Sequence, residues 1–381
     1  MNKKLHQKSF NQTRREFLHR SSMTLIGLAS TGLPQIGWTS HGDTLHIRNY
    51  QDVSSLDPVS SVSGAEGLIS GAIFQNLLQF ASDENWDTRL DAAEWFEQRD
   101  ATHYDFRLKP GQMFNNGYGE MTADDVKFSY ERMVDPAMHA LNLPDMGPFD
   151  HVEVHDRYSG TLVLKTPYAA FIPIAVAGPS GSIMSRKAVT DVGGRFSTNP
   201  PCGSGPYQFK SWQAQRKTIL ERNPGWPGER AAFSEMHIYA MADEKSGEMA
   251  FEAGQLDCSL ISVETVEPFR KDAPPNSTLK VLPSGRNYWL GMNQDNPALT
   301  DIRVRKAIQY AIDVEAVLEA AWFGLANVSN GPVPTKMTGH RDKPLIPPRG
   351  DRDKARSLLA QAGVTLPLHL RLDVDNKAQS L

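Results

Sequence analysis

An α/β fold, with helices covering a sheet, is the class this sequence predicts, and three observations lead to it. Residues 236–240 alternate as a strand does, residues 243–253 read as a helix stopped by Gly254, and Leu256-Asp257-Cys258 returns to extended chain. Elsewhere, segments with a period of two alternate with segments of three-and-four spacing. Finally, 381 residues with 40% hydrophobic content suffice to build the cores of two or three domains.

The chain opens on a different kind of segment. Lys3, Lys4, Lys8, Arg14, Arg15 and Arg20 precede a mildly apolar run at residues 23–33, which is too short to span a bilayer. Residues 1–40 therefore read as a signal peptide; Ser40 would end it before the first strand, although no clean Ala-x-Ala site appears. Within it Thr13-Arg14-Arg15-Glu16-Phe17-Leu18 resembles the twin-arginine export signal, which implies passage through the Tat machinery to the periplasm; the alternative is an ordinary basic leader. No cysteine follows closely enough for a lipid anchor. Removing this segment, with its six basic residues and one acidic, takes the formal net charge from −4 to about −9, which gives no support for a nucleic-acid partner. No later apolar run is long enough to cross a membrane. Cys202 and Cys258 would enter an oxidising compartment, where they can pair or stay unpaired and buried; their separation leaves both open.

After the leader, Thr44-Leu45-His46-Ile47-Arg48 alternates as a strand, and the proline of Ser55-Leu56-Asp57-Pro58 ends regular structure. The Ser- and Gly-rich loop at 59–67 can bring main-chain groups near a ligand or be a plain connection. Ile69, Ile73, Leu77 and Phe80 then predict a helix over 68–80. Tyr104, Phe106 and Leu108 alternate with Asp105 and Arg107, a strand closed by the turn Lys109-Pro110-Gly111. Thr122 and Asp125 have capping-box spacing ahead of a helix with Val126, Ser129, Tyr130 and Met133 inward. Asp124 and Asp125 fit the first turn of that helix better than a catalytic pair. Short strands follow at 152–155 and 161–165. The stretch Pro200-Pro201-Cys202-Gly203-Ser204-Gly205-Pro206-Tyr207 lacks the Gly-Lys-Ser/Thr ending of a phosphate loop, and nothing in the chain fits a nucleophile elbow.

The last part opens with an aromatic strand pattern at 288–292 and a turn through Asn293-Gln294-Asp295-Asn296-Pro297. Thr300 can cap a helix whose Val304, Ala307, Ile308, Ala311 and Ile312 form a buried face; Asp313 can cap a second with Ala316, Val317 and Ala320 inward. Asp351 can cap a third, with Ala355, Leu358, Leu359 and Ala362 inward and Gly363 at its end. Leu366, Leu368, Leu370, Leu372 and Val374 alternate strictly, predicting a further strand.

Asn293, Pro297, the run Thr300-Asp301-Ile302-Arg303-Val304-Arg305-Lys306-Ala307-Ile308 and Tyr310-Ala311-Ile312-Asp313 together resemble the signature of the family 5 extracellular solute-binding proteins, the peptide and nickel receptors of ABC importers. Two earlier stretches resemble the family in the same order. One is the strand, Lys-Pro-Gly turn and Thr122-Ala123-Asp124-Asp125-Val126; the other is Gly203-Ser204-Gly205-Pro206-Tyr207 with Trp212 and Arg222-Asn223-Pro224. The resemblance implies a fold like a type II periplasmic binding protein, with two hinge-connected α/β lobes and a smaller extra domain. On this reading lobe I takes 41–74 and 181–282, the extra domain 75–180, and a third lobe begins at 283–381, which the family pattern implies is incomplete.

It also implies a function: capture of peptides or a peptide-like solute in the periplasm and delivery to the permease of an ABC importer. The loop after Pro58 would border the cleft, which makes Ser63, Gly64, Arg286, Asn287 and Tyr288 the candidate ligand contacts, with Tyr207, Trp212 and Trp289 nearby. The planar fork of Arg286 suits a ligand carboxylate. Receptors for a nickel chelate or an oligosaccharide are alternatives within the class. A Tat-exported cofactor enzyme is the alternative outside it, but the eleven histidines are scattered, and neither His-Glu-x-x-His nor Cys-x-x-Cys occurs. No catalytic residue, cofactor or metal ligand is therefore assigned.

Overall fold

The computed structural model describes residues 42–61, 64–81, 87–282, 287–335 and 339–373. The export segment lies outside them. By contacts the chain falls into two units, Met1–Gly42 and Asp43–Leu381, and only the second is described at length.

The alternating residues after the leader become β1 (Thr44–Asn49), which runs parallel to β12 (Glu235–Ala240). Antiparallel β11 (Lys217–Arg222) and β10 (Tyr207–Gln213) complete a sheet in the order β1-β12-β11-β10. Residues 257–258 lie along the outer edge of β1, where the Cys258 carbonyl accepts the Arg48 amide at 2.9 Å. Ile47, Leu220 and Ile238 close over Ile69 and Ile73 of α1 (Gly64–Ile73), which forms a first core.

A second sheet is antiparallel throughout, in the order β4 (Ala93–Gln98), β5 (His103–Leu108), β9 (Ser159–Leu164), β8 (Phe149–Val154). Tyr104, Phe106 and Leu108 all point to its buried face, as their alternation requires. Over that face lies α2 (Ala123–Val134), with Val126, Ser129, Tyr130 and Met133 buried. The Asp125 carboxylate accepts the Thr122 amide and hydroxyl, both at 2.9 Å, so this acid starts the helix as its spacing implies. Two small hairpins, β2 (Leu78–Phe80) with β3 (Thr88–Leu90) and β6 (Met113–Phe114) with β7 (Gly119–Glu120), flank this core.

Short α3 (Arg186–Asp191) precedes β10; α4 (Glu244–Glu252), capped by Asp243, and α5 (Val263–Lys271) follow β12. Last come α6 (Ile302–Ala311), α7 (Val314–Trp322) and α8 (Arg352–Gln361). Ala307 packs on Ala355 and Leu358, and the Asp351 amide donates to the Tyr310 carbonyl at 2.7 Å, so α6 and α8 form a third, small core.

Four expectations need correction. The helix predicted over 68–80 ends at Ile73, because Ile69 and Ile73 face the first core whereas Leu77 faces the second and Phe80 belongs to β2. Asp301, not Thr300, caps α6, its side chain accepting the Arg303 amide at 2.7 Å. Within the two predicted faces that follow, Ala311, Ala316, Val317 and Ala320 are exposed. Residues 287–292 and 366–373 form no strand among the described residues, with a bend at Leu366 and Pro367, since a period-two pattern becomes a strand only where a neighbour takes its main-chain groups; Val374 lies outside the described residues. Of the two outcomes left open for the cysteines, Cys202 and Cys258 are unpaired, the first buried, with its thiol pushed up to about 12 by burial, and the second exposed.

Candidate functional site

In sheets of this kind ligands sit beyond the carboxyl ends of parallel strands, which directs attention to the ends of β1 and β12. Both ends are tied down from below. The Met241 amide donates to the Asn49 carbonyl at 2.8 Å. Arg48, 4% exposed, spends its guanidinium on main-chain oxygens, donating from Nε to Met241 at 3.0 Å, from Nη1 to Leu260 at 3.0 Å and from Nη2 to Ala242 at 3.3 Å. The loops leaving β1 and β12 are thereby joined to the chain entering α5.

The loop from β1 to α1 is the longest element at this end, and side chains hold it at intervals. Asp52 accepts the Trp212 indole N–H at 3.0 Å and the Gln215 amide at 2.6 Å. Trp212, read from sequence as a cleft aromatic, therefore anchors this loop. Ser54 donates through its amide at 2.9 Å and its hydroxyl at 2.8 Å to Glu66, a fully buried residue in the first turn of α1. Asn49 reaches the Ala65 carbonyl at 3.0 Å. Asp57, fully buried, accepts both terminal nitrogens of Arg132 at 2.7 and 2.6 Å. This pair was not legible in sequence; the only signal was a carboxylate next to a proline that breaks the strand pattern.

The candidate contacts fall into two places. Gly64 is the exposed first residue of α1, at the end of the anchored loop, while Ser63 lies outside the described residues. Asn287 and Tyr288 lie together on the segment before α6, which has no regular secondary structure, and Arg286 is outside the described residues. Asn287 donates to the Gly331 carbonyl at 3.3 Å, and the Tyr288 ring is 5.1 Å from that of Trp322 at the end of α7. Tyr288 is 55% exposed and Trp289 80%, an aromatic surface on which an apolar or planar group can stack. No hydrogen bond or ring contact among the described residues joins Gly64 to Asn287 or Tyr288. Tyr207 is a core residue, its hydroxyl donating to the Phe233 carbonyl at 3.1 Å and its ionisation pushed up by burial. What these groups offer is main-chain polarity and exposed aromatic surface, which can hold a solute.

Comparison with known proteins agrees with this. The model of the bacterial extracellular solute-binding proteins, family 5 middle region, matches residues 89–379. The probable D,D-dipeptide-binding periplasmic protein DdpA of Escherichia coli K12 is 25% identical over 345 residues, covering 88% of this chain and 65% of that protein. The chain thus spans slightly under two thirds of that relative's length. Among solved structures, the periplasmic binding protein DppA of Helicobacter pylori in complex with the peptide STSA superposes with a TM-score of 0.72 at 25% identity, over 84% of this chain and 66% of that one. NikZ of Campylobacter jejuni in complex with Ni(L-His) also superposes with a TM-score of 0.72 at 25% identity, over 84% and 63%.

Proposed function

The chain belongs to the bacterial extracellular solute-binding proteins of family 5, and from that premise we propose that it captures a peptide or peptide-like solute in the periplasm and delivers it to the permease subunits of an ABC importer. The observation that carries this reading is the likeness to a peptide-bound DppA over 84% of the chain. Ser63 and Gly64 would border the cleft on one side and Arg286, Asn287 and Tyr288 on the other, with the Arg286 fork suited to a terminal carboxylate. The chain would divide into lobe I (41–74 and 181–282), a smaller domain (75–180) and a third lobe from 283; most residues of the first two cores follow the first boundary, while Val59, Ile183, Ala188 and Cys202 of the lobe I segments pack in the second core. Solute binding would favour the closed arrangement of the lobes by the extra contacts made only there. The role is binding and transfer, not catalysis.

A thermal-shift screen against di- to pentapeptides, nickel chelates and oligosaccharides tests this, because a ligand that binds only the native state raises the midpoint. Peptides are expected to raise it. A rise with a nickel chelate alone would replace the peptide reading with the second one, which the likeness to NikZ bound to Ni(L-His) favours.

The export route is proposed on the sequence of residues 1–40. Replacing Arg14 and Arg15 by lysine is expected to leave the protein in the cytoplasm, as fractionation would show; unchanged export would point to an ordinary basic leader.

A further inference from the structure

The loop that leads from β1 to α1 is held in its first half from the first core, where Val53 and Leu56 are buried, but over residues 57–61 it is gripped from the second. Val59 is buried among the residues under the β4-β5-β9-β8 sheet. Its carbonyl accepts the Leu141 amide at 2.9 Å. Asn142, beside Leu141, donates its side-chain amide to the carbonyls of Pro58, at 3.3 Å, and of Ser61. Arg132 on α2 grips Asp57 with both terminal nitrogens and donates to the Gly194 carbonyl at 2.7 Å. The Asp57 carboxylate also accepts the Val59 amide at 3.3 Å and the Phe196 amide at 3.2 Å, and its carbonyl accepts the amides of Ser60 and Ser61, both at 2.9 Å.

A buried ion pair contributes little to stability relative to well-packed apolar groups of the same volume. It does fix direction, because the planar guanidinium holds a carboxylate in one orientation. At Asp57 that orientation fixes the turn in which its carbonyl accepts the Ser60 and Ser61 amides.

We propose that Arg132 and Asn142 are positioning residues for solute binding: they set residues 57–61 of the β1–α1 loop and so the approach to the start of α1. This rests on the reading of that loop as a border of the solute site.

Asn142→Ala and Arg132→Lys in the full chain test it through two independent readouts. Amide hydrogen exchange at Ser60 and Ser61 is expected to quicken by about tenfold or more in both variants, while amides of Ile69 and Ile73 in α1 stay as protected as before. Affinity for whichever peptide the wild-type chain binds is expected to fall by about tenfold, with the melting midpoint of Asn142→Ala nearly unchanged. Unchanged exchange at Ser60 and Ser61 would overturn the anchoring. Faster exchange with wild-type affinity would show that the loop is anchored but does not position the solute. If the wild-type chain binds none of the peptides, it is the proposed function that fails, and the exchange result still decides whether Arg132 and Asn142 hold the loop.

Discussion

Asp57 and Arg132 are both nearly inaccessible to water, at 0% and 6% exposure, so each depends on the other for compensation of its charge. Arg132→Met would leave the carboxylate buried and unpaired, and is expected to lower stability by about 3–5 kcal/mol in urea unfolding; a loss near zero would mean that water reaches Asp57. A partly buried acid, Asp91, behaves differently. Asp91 accepts the Asn76 amide at 2.9 Å and the Gln75 side chain at 3.3 Å, but burial outweighs these bonds and the nearby Lys109 and Arg89, and its ionisation is raised. The native state therefore binds this proton more tightly than the unfolded chain does. Its contribution to stability increases as pH falls through the raised native value and levels off below the ordinary carboxylate range. Asp91→Asn is expected to be more stable than wild type at pH 7, with the difference shrinking toward pH 4. An unchanged gap between the two across that range would contradict the assignment.

At the scale of elements, the elements that form cleanly are those whose pattern meets a partner. The 103–108 alternation becomes β5 because β4 and β9 take its main-chain groups on both sides, and Thr122 with Asp125 starts α2 as their spacing implies. Residues 366–373 alternate more strictly still, yet lack a paired neighbour among the described residues and stay unpaired. Spacing alone also hid the end of α1, since Ile73 and Leu77 are four apart as in one helix but face two cores. What stops the helix is the glycine-rich turn, whose Ser204 and Gly205 amides both donate to the Ile73 carbonyl at 2.9 Å. A Cβ on Gly205 would lie 2.5 Å from the Ala72 carbonyl oxygen. Gly205→Ala is therefore expected to cost about 1–3 kcal/mol through backbone displacement; denaturant unfolding at wild-type stability would show that the turn can yield. The Asp57–Arg132 pair was out of reach of the sequence for another reason: its members are 75 residues apart, and neither disturbs the local pattern around it.

For the molecule as a whole, ordered motifs from Tyr104 to Asp313 carried the family, and the match over residues 89–379 agrees with them. They carried much less about the solute. Gly64 and the pair Asn287 and Tyr288 are on separate segments, and it is a closing motion that would bring such segments to one ligand. That motion would bury apolar surface from residues such as Tyr288 and Trp289, now 55% and 80% exposed. Isothermal titration of the exported chain with di- to pentapeptides tests this most directly. Saturable one-to-one binding with a negative heat-capacity change is expected, as burial of aromatic surface requires. Absence of heat with every peptide, alongside a saturable response to a nickel chelate or an oligosaccharide, would contradict peptide capture.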